Sequence, residues 1–351
     1  MVGAVLVDAD NAVLAEGWHA AYGEAHAEAA AIQKALQTHG ATALHDATLY
    51  VNLEPCSHHG KTPPCSNLII ETGIPRVVVG TVDPYPEVAG RGIERMRAAG
   101  IDVTVGVEEN ACARLNEAFF HHVQTGRPLL TLKIAQTLDG RIATTTGHSQ
   151  WISGPEARTQ VHRWRAALDG VLVGTGTATA DDPRLTVRRV EGPQPHRIVL
   201  DRTGSLAPAL HLFTDDHAAS TITVVGATRP APGYAPALAQ RGGQILRIPE
   251  TETDHLDLHA LLSHLGAPDG PTERPVQSLL VEAGPGLATA LFQQDLVDRF
   301  FCFVAPKLVG TGMPSLRDLG IRQMDAARTF AQQRWSTVGD DLLFQGYVRA
   351  L

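Results

Sequence analysis

Cysteine, aromatic residues and basic charge are all scarce in this chain. Its four cysteines, Cys56, Cys65, Cys112 and Cys302, are too few to staple 351 residues, and a chain of that length needs no staples, so a disulfide-built secreted domain is excluded. Lysine and arginine total 29 against 37 acidic residues, a net charge of −8, which argues against a non-specific nucleic-acid binder and favours a small substrate. No apolar run is long enough to cross a bilayer. Asp8 and Asp10 fall where the apolar core of a signal peptide would lie. A cytoplasmic protein that makes no use of membranes is therefore expected. What is present is an ordinary globular composition, and the length points to two domains, since single cores rarely grow past about 250–300 residues.

Chemistry concentrates between His26-Ala27-Glu28 and Pro55-Cys56-Ser57-His58-His59-Gly60-Lys61-Thr62-Pro63-Pro64-Cys65. One imidazole and two thiols make three protein ligands for zinc, leaving the fourth tetrahedral position open, as catalytic sites do. Zinc lowers the pKa of a bound water to roughly 7, and Glu28 stands where it could take that proton and return it to a departing amine. The H-x-E…P-C…C order is the signature of zinc nucleobase deaminases, apart from the long interval between the two cysteines. The competing reading is a structural zinc clip, or two unrelated buried thiols. A lone H-x-E carries little weight, but the Pro-Cys element behind the apolar Leu49-Tyr50-Val51 favours catalysis. Cys112 and Cys302, in apolar surroundings, read as inert core residues.

The periodicity predicts strands at Val2–Asp8, Val13–Gly17, Thr48–Leu53, Arg76–Gly80 and Val103–Val105. Helices are expected over Ala27–Thr38, Cys65–Ile70, Ile93–Ala98 and Glu108–His122, so His26 and Glu28 open a helix whose dipole favours a carboxylate. Alternation of this kind makes an α/β layer over residues 1–125. Gly126-Arg127-Pro128 reads as a linker, and a second α/β domain is expected over residues 129–351. It would hold strands at Leu129–Ala135, Gly170–Gly174, Arg197–Asp201, Thr221–Val225, Ser278–Glu282, Phe300–Val304 and Leu342–Val348, with a helix over Glu156–Ala167. Ala227–Gly243 reads as a loop plus a short helix.

In this second half the turn Gly284-Pro285-Gly286-Leu287-Ala288-Thr289-Ala290 follows a strand and opens a helix, a ready phosphate site that is nevertheless not the G-x-G-x-x-G fingerprint. Thr175-Gly176-Thr177 offers another polar turn. Arg165 and Arg188 suit phosphate recognition, although each alone reads as a solvated charge. Trp151 is as much a core filler as a stacking surface, and Lys133 in an apolar strand calls for a partner. These residues point to a phosphorylated ligand and no further.

Together the motifs resemble the bifunctional riboflavin-biosynthesis enzymes, in which a pyrimidine deaminase is fused to a uracil reductase. The zinc motif matches including its long Cys–Cys interval, as do Asp83-Pro84, Val88-Ala89-Gly90-Arg91-Gly92, Leu138-Asp139-Gly140-Arg141, Ser149-Gln150-Trp151-Ile152-Ser153, Asp181–Arg188, Val281–Pro285 and Ala305-Pro306-Lys307-Leu308. The resemblance implies a cytidine-deaminase-like α/β/α domain followed by a dihydrofolate-reductase-like α/β domain. The first would deaminate 2,5-diamino-6-(5-phosphoribosylamino)pyrimidin-4-one, and the second would use NADPH to reduce the ribosyl side chain to ribityl. It assigns zinc to His26, Cys56 and Cys65, proton transfer to Glu28, and deaminase substrate contacts to His19, Lys61 and Thr62. It assigns NADPH to Ala135, Trp151, Thr177, Asp181 and the turn Gly284–Ala290, and the reductase substrate to Lys133, Ser149, Arg165, Leu185, Arg188 and Glu282. A dimer or tetramer is plausible for such a fusion. The family carries a helix and an Asn-Pro-x-Val-Gly segment ahead of the first strand, where this chain starts at Met1-Val2-Gly3. A reductase whose first domain binds zinc but is impaired as a deaminase is thus the alternative. A nucleotide-binding regulator is a third reading, and Glu28 speaks against it, because a structural zinc has no use for that carboxylate.

Overall fold

A computed structural model describes residues 1–19, 23–57 and 63–349 of the chain. They fall into two compact units, Met1–Thr125 and Gly126–Leu351.

In the first unit the strands are β1 (Gly3–Val7), β2 (Val13–Trp18), β3 (Thr48–Leu53), β4 (Arg76–Thr81) and β5 (Asp102–Val105), and the helices α1 (Ala27–His39), α2 (Cys65–Glu71), α3 (Arg91–Ala98), α4 (Glu109–Leu115) and α5 (Glu117–Thr125). The sheet order is β2-β1-β3-β4-β5. β1 runs antiparallel to β2 and β3, while β3, β4 and β5 are parallel, with α2 and α3 as their crossovers. α1 buries Ala27, Ala31, Ile32 and Ala35, and these join Leu6, Leu49, Val51, Val77, Val79 and Met96 in one core. Small residues bring the helix close to β2: a Cβ at Gly17 would lie 2.3 Å from the Ala27 carbonyl oxygen and 2.4 Å from the Ala31 nitrogen. The single helix expected over 108–122 is instead two, because Asn116 leaves helical geometry and ends α4. Cys112, on α4, is half-buried rather than a core residue, whereas Cys302 is buried as expected.

Glu54 explains two of the motifs. Its buried carboxylate accepts from the backbone N–H groups of Asp83 (3.3 Å), Gly90 (2.9 Å), Gly92 (2.9 Å) and Ile93 (3.3 Å). Three of those donors open α3 and have no partner within the helix. Gly90 sits at φ 78, and a Cβ on Gly92 would lie 2.1 Å from the Pro55 carbonyl. The loop after β3 is thereby locked beside Cys56.

The second unit contains β6 (Leu129–Thr137), β7 (Arg141–Thr144), α6 (Pro155–Ala167), β8 (Gly170–Gly174), α7 (Thr175–Asp181), β9 (His196–Leu200), α8 (His211–Thr214), β10 (Thr221–Gly226), α9 (Ala235–Gln240), β11 (Gln244–Ile248), α10 (Leu258–Gly266), β12 (Ser278–Glu282), α11 (Pro285–Gln293), β13 (Arg299–Ala305), β14 (Gly312–Pro314), β15 (Ala331–Val338) and β16 (Asp341–Tyr347). Nine strands form one sheet in the order β11-β10-β9-β8-β12-β6-β13-β16-β15. It is parallel from β11 to β13, and β16 and β15 add an antiparallel edge. Buried apolar residues cover both faces, which is why the central strands read as continuous apolar runs. The expected linker is pinned into this unit: Arg127 makes a two-pronged contact with Asp298 at 2.7 Å per hydrogen bond, and Asp298 also accepts from the Leu130 N–H (2.8 Å).

Candidate functional site

The carboxyl ends of parallel strands are where open α/β sheets bind ligands. β3 ends at Leu53 and delivers Glu54-Pro55-Cys56 there, and α1 starts beside it with His26 as its N-cap. His26 Nδ1, Cys56 Sγ and Cys65 Sγ converge so that the three atoms lie within 4.8 Å of one another. Nδ1 is 3.5 Å from Cys56 Sγ and 3.4 Å from Cys65 Sγ. Tetrahedral zinc, with bonds of about 2.3 Å to sulfur and 2.0–2.1 Å to nitrogen, separates such ligand atoms by about 3.5 Å. The donor set therefore fits zinc in type and spacing.

The two thiols interact closely. The Cys56 thiol is held below its ordinary range, first by its hydrogen bond with Cys65, while Cys65 is pushed up by that bond and by burial. Thiolates are the form in which cysteines ligate zinc. The Cys65 N–H donates to Cys56 Sγ (3.3 Å), and Ser66 donates to the Cys56 carbonyl through both its N–H (3.1 Å) and its hydroxyl (3.0 Å), so the nine-position interval closes on itself. Glu28, in the first turn of α1, is 3% exposed, and burial above all raises its pKa to about 7. His19, just past β2, packs edge-on against the His26 ring at 5.4 Å, and its Nδ1 meets the Ala25 carbonyl at 3.1 Å. Lys61 and Thr62 lie outside the described residues.

In the second unit the register sets Glu282 beside Lys133. The Lys133 Nζ lies 3.8 Å from Glu282, whose other oxygen accepts from Arg165 Nε at 2.7 Å. Lys133 thus has its partner, and burial lowers its pKa. Burial alone would raise the Glu282 pKa, but Arg165 and Lys133 outweigh it and hold the carboxyl at about 2. Burial and the Glu282 charge raise the pKa of Asp181 at the end of α7. The polar turn expected around Thr177 is helical, being part of α7, and Thr177 Oγ1 lies 3.6 Å from where a Cβ on Gly284 would sit. Ala135 on β6, Thr177, Asp181 and the first turn of α11 thus share the carboxyl edge of the parallel strands β6, β8 and β12.

Within Gly284–Ala290, Ala288 and Thr289 are buried, and Thr289 Oγ1 accepts from the Arg317 N–H (2.8 Å). Pro285, Gly286 and Leu287 form the half-buried first turn, and the Arg317 guanidinium comes within 3.7–3.9 Å of a Cβ built on Gly286. Trp151 is 61% exposed, so it is no core filler; Arg158 stands 4.5 Å from its ring and Lys307 Nζ donates to its carbonyl (2.6 Å). Ser149 is half-buried in the loop between β7 and α6. Leu185 is buried, 1% exposed, at a positive φ of 54. Glu54, His162, Lys307 and Arg317 were missed as site-supporting residues in the sequence, because each acts on residues distant along the chain.

Residues 128–344 match the family described as the RibD C-terminal domain, and residues 1–81 match the cytidine and deoxycytidylate deaminase zinc-binding region. The riboflavin biosynthesis protein RibD of Aquifex aeolicus is 39% identical over 343 residues, covering 97% of this chain and 90% of its own. Among solved structures, RibD of Acinetobacter baumannii in its form 2 gives a TM-score of 0.84 at 32% identity, covering 99% of this chain and 91% of its own. A diaminohydroxyphosphoribosylaminopyrimidine deaminase/5-amino-6-(5-phosphoribosylamino)uracil reductase from Thermotoga maritima gives 0.84 at 35% identity, with the same coverage.

Proposed function

Since the chain belongs to the RibD family of riboflavin biosynthesis proteins, a cytidine-deaminase-like domain joined to a RibD reductase domain, we propose that its two named residue sets carry the family's two steps on one phosphoribosylaminopyrimidine. It is a bifunctional enzyme of small molecules that takes zinc and NADPH. Residues 1–125 form the deaminase of this reading and residues 129–351 the reductase. The substrate is 2,5-diamino-6-(5-phosphoribosylamino)pyrimidin-4-one, and the product after reduction is 5-amino-6-(5-phosphoribitylamino)uracil.

The observation that carries the deaminase is the convergence of His26, Cys56 and Cys65 beside the buried Glu28. His26, Cys56 and Cys65 hold zinc, which when bound supplies Lewis acidity enough to generate hydroxide near neutral pH. Glu28, with a carboxyl raised to about 7, accepts a proton from water and delivers it to the departing amine as ammonia. His19 borders the pyrimidine, as do Lys61 and Thr62. In the reductase, Ala135, Trp151, Thr177, Asp181 and the turn Gly284–Ala290 hold NADPH, which supplies a hydride for C1 of the opened sugar. Lys133, Ser149, Arg165, Leu185, Arg188 and Glu282 hold the substrate, the guanidinium groups suiting its phosphate. The alternative, a reductase with a disabled first domain, is not favoured: the ligands and the proton carrier are all assembled.

The reading extends to a cytoplasmic homo-oligomer, dimer or tetramer, that binds no nucleic acid. Four free thiols suit a reducing compartment, the net charge of −8 is unsuited to polynucleotides, and no helix among the described residues is long and apolar enough to cross a membrane. Light scattering on the purified chain tests the oligomer. The decisive assay supplies the diaminopyrimidinone and NADPH and follows ammonia and NADPH together. Ammonia release followed by NADPH loss is expected; NADPH loss only when the deaminated compound is supplied would reject the deaminase assignment.

A further inference from the structure

The segment Asp182–Arg188, between α7 and β9, has no regular structure, yet its backbone is tethered almost residue by residue. Leu185 sits at φ 54, a region that side chains with a Cβ occupy only where the surroundings impose it. Arg197, fully buried and paired with Asp215, donates to the Arg184 carbonyl at 2.9 Å. Arg165 Nη1 donates to the Thr186 carbonyl at 3.2 Å. The Gln194 side chain accepts from the Val187 N–H and donates to the Val187 carbonyl, each at 2.8 Å. The last tether is His162, whose Nδ1 accepts the Arg188 N–H at 3.1 Å. His162 is 4% exposed and lies three residues before Arg165 on α6, on the same face.

The residue so held carries a guanidinium crowded by others. Arg165, Arg189 and Arg184 all press on Arg188 and, after burial, lower its pKa, with Glu282 alone opposing them. An anion placed among these cations relieves the repulsion, and a phosphate accepts from guanidinium groups in their own geometry. We infer that His162 is a positioning residue for the reductase: as a neutral imidazole it fixes the backbone of Arg188 and so sets the affinity for the phosphorylated substrate. The inference rests on the reductase reading above. An imidazolium would turn an N–H toward the Arg188 N–H. Burial, together with Arg165, Arg188 and Arg189, keeps the ring neutral against the opposing charge of Glu282.

Steady-state kinetics of the full chain with 5-amino-6-(5-phosphoribosylamino)uracil and NADPH test it, alongside equilibrium titration of that compound without NADPH. His162→Leu removes the acceptor of the partly buried Arg188 N–H, so KM and Kd for the uracil should rise about tenfold, with kcat and KM for NADPH little changed. His162→Asn puts an oxygen near the Nδ1 position and should restore most of the affinity, whereas His162→Gln puts it near Nε2 and should not. If Leu leaves KM and Kd unchanged, or lowers kcat and weakens both substrates alike, the inference is overturned. Should the Leu variant fail to fold, Asn and Gln decide: equal affinities for the two would overturn it. If the wild-type chain binds the uracil but never oxidises NADPH, the reductase reading fails instead, and the titrations still judge His162.

Discussion

In the proposed deaminase, Glu28 is the residue on which the chemistry turns. Burial lifts its carboxyl to about 7, where it both holds and releases a proton near neutral pH, the condition for a proton carrier. Glu28→Gln keeps the size and the hydrogen-bonding capacity but cannot carry the proton. We expect zinc content by elemental analysis to stay the same and ammonia release to fall by about 10²–10⁴-fold, with reduction of the deaminated substrate unaffected. Deamination within tenfold of wild type would remove Glu28 from the role. The ligands themselves were legible in the sequence because their residue types are unusual together and the chemistry demands them. Their support was not. Glu54 is silent as a residue, and only the fold brings it to donors on Asp83, Gly90, Gly92 and Ile93. The burial of Leu185 at a positive φ was equally hidden in the sequence.

Helix α1 carries His26 and Glu28 to their places by resting on a strand with no side chain in the way. A Cβ at Gly17 would lie 2.3 Å and 2.4 Å from backbone atoms of Ala27 and Ala31, which flank Glu28, and backbone cannot swing aside as a flexible side chain does. Gly17→Ala should therefore push the first turn of α1 off β2. We expect about 1–3 kcal/mol of destabilisation by denaturant titration, together with easier removal of zinc by a chelator. Unchanged stability and zinc retention would mean that the helix does not depend on this approach. Elements with strong periodicity, such as α1 and the central parallel strands, were read from the sequence close to their bounds. Weakly patterned ones were not. β15, Ala331–Val338, is a mostly exposed edge strand without clean alternation, and β11 is equally indistinct. α10 was missed although it carries the helical period, with Leu258, Leu261, Leu262 and Leu265 buried and His259, Ser263 and His264 exposed, and Asp257 caps it by accepting the Ala260 N–H at 3.0 Å. α7, Thr-Gly-Thr-Ala-Thr-Ala-Asp, consists largely of poor helix formers, and Thr175 Oγ1 anchors it by donating to the Leu200 carbonyl at 2.6 Å.

At the scale of the molecule, two units each place their candidate site at the carboxyl edge of parallel strands, and the second makes its site from buried charge. That choice ties its stability to pH. His162 has a folded pKa of about 4, below its ordinary 6.5, chiefly from burial. The unfolded chain therefore takes up the proton first, and the stability that the neutral ring contributes above pH 6.5 is lost as pH falls toward 4. Glu282, at about 2 against an ordinary 4.5, contributes above pH 4.5 and loses that contribution as pH falls through 2. The two windows adjoin and have the same sign, so acid should weaken the second unit in two stages, each of at most about 3–4 kcal/mol before solvent screening is allowed for. Trp164, half-buried with its ring 4.9 Å from that of Phe301 and 5.4 Å from that of Phe303, packs against the core of this unit and contributes to the fluorescence change on unfolding. Denaturation midpoints followed from pH 8 to 4 should fall below about pH 6.5 in the wild type and less steeply in His162→Asn, where His196, whose pKa burial also lowers, still titrates. If the two curves coincide between pH 6.5 and 4.5, the buried imidazole is not what the acid attacks, and its neutral state adds nothing to the fold.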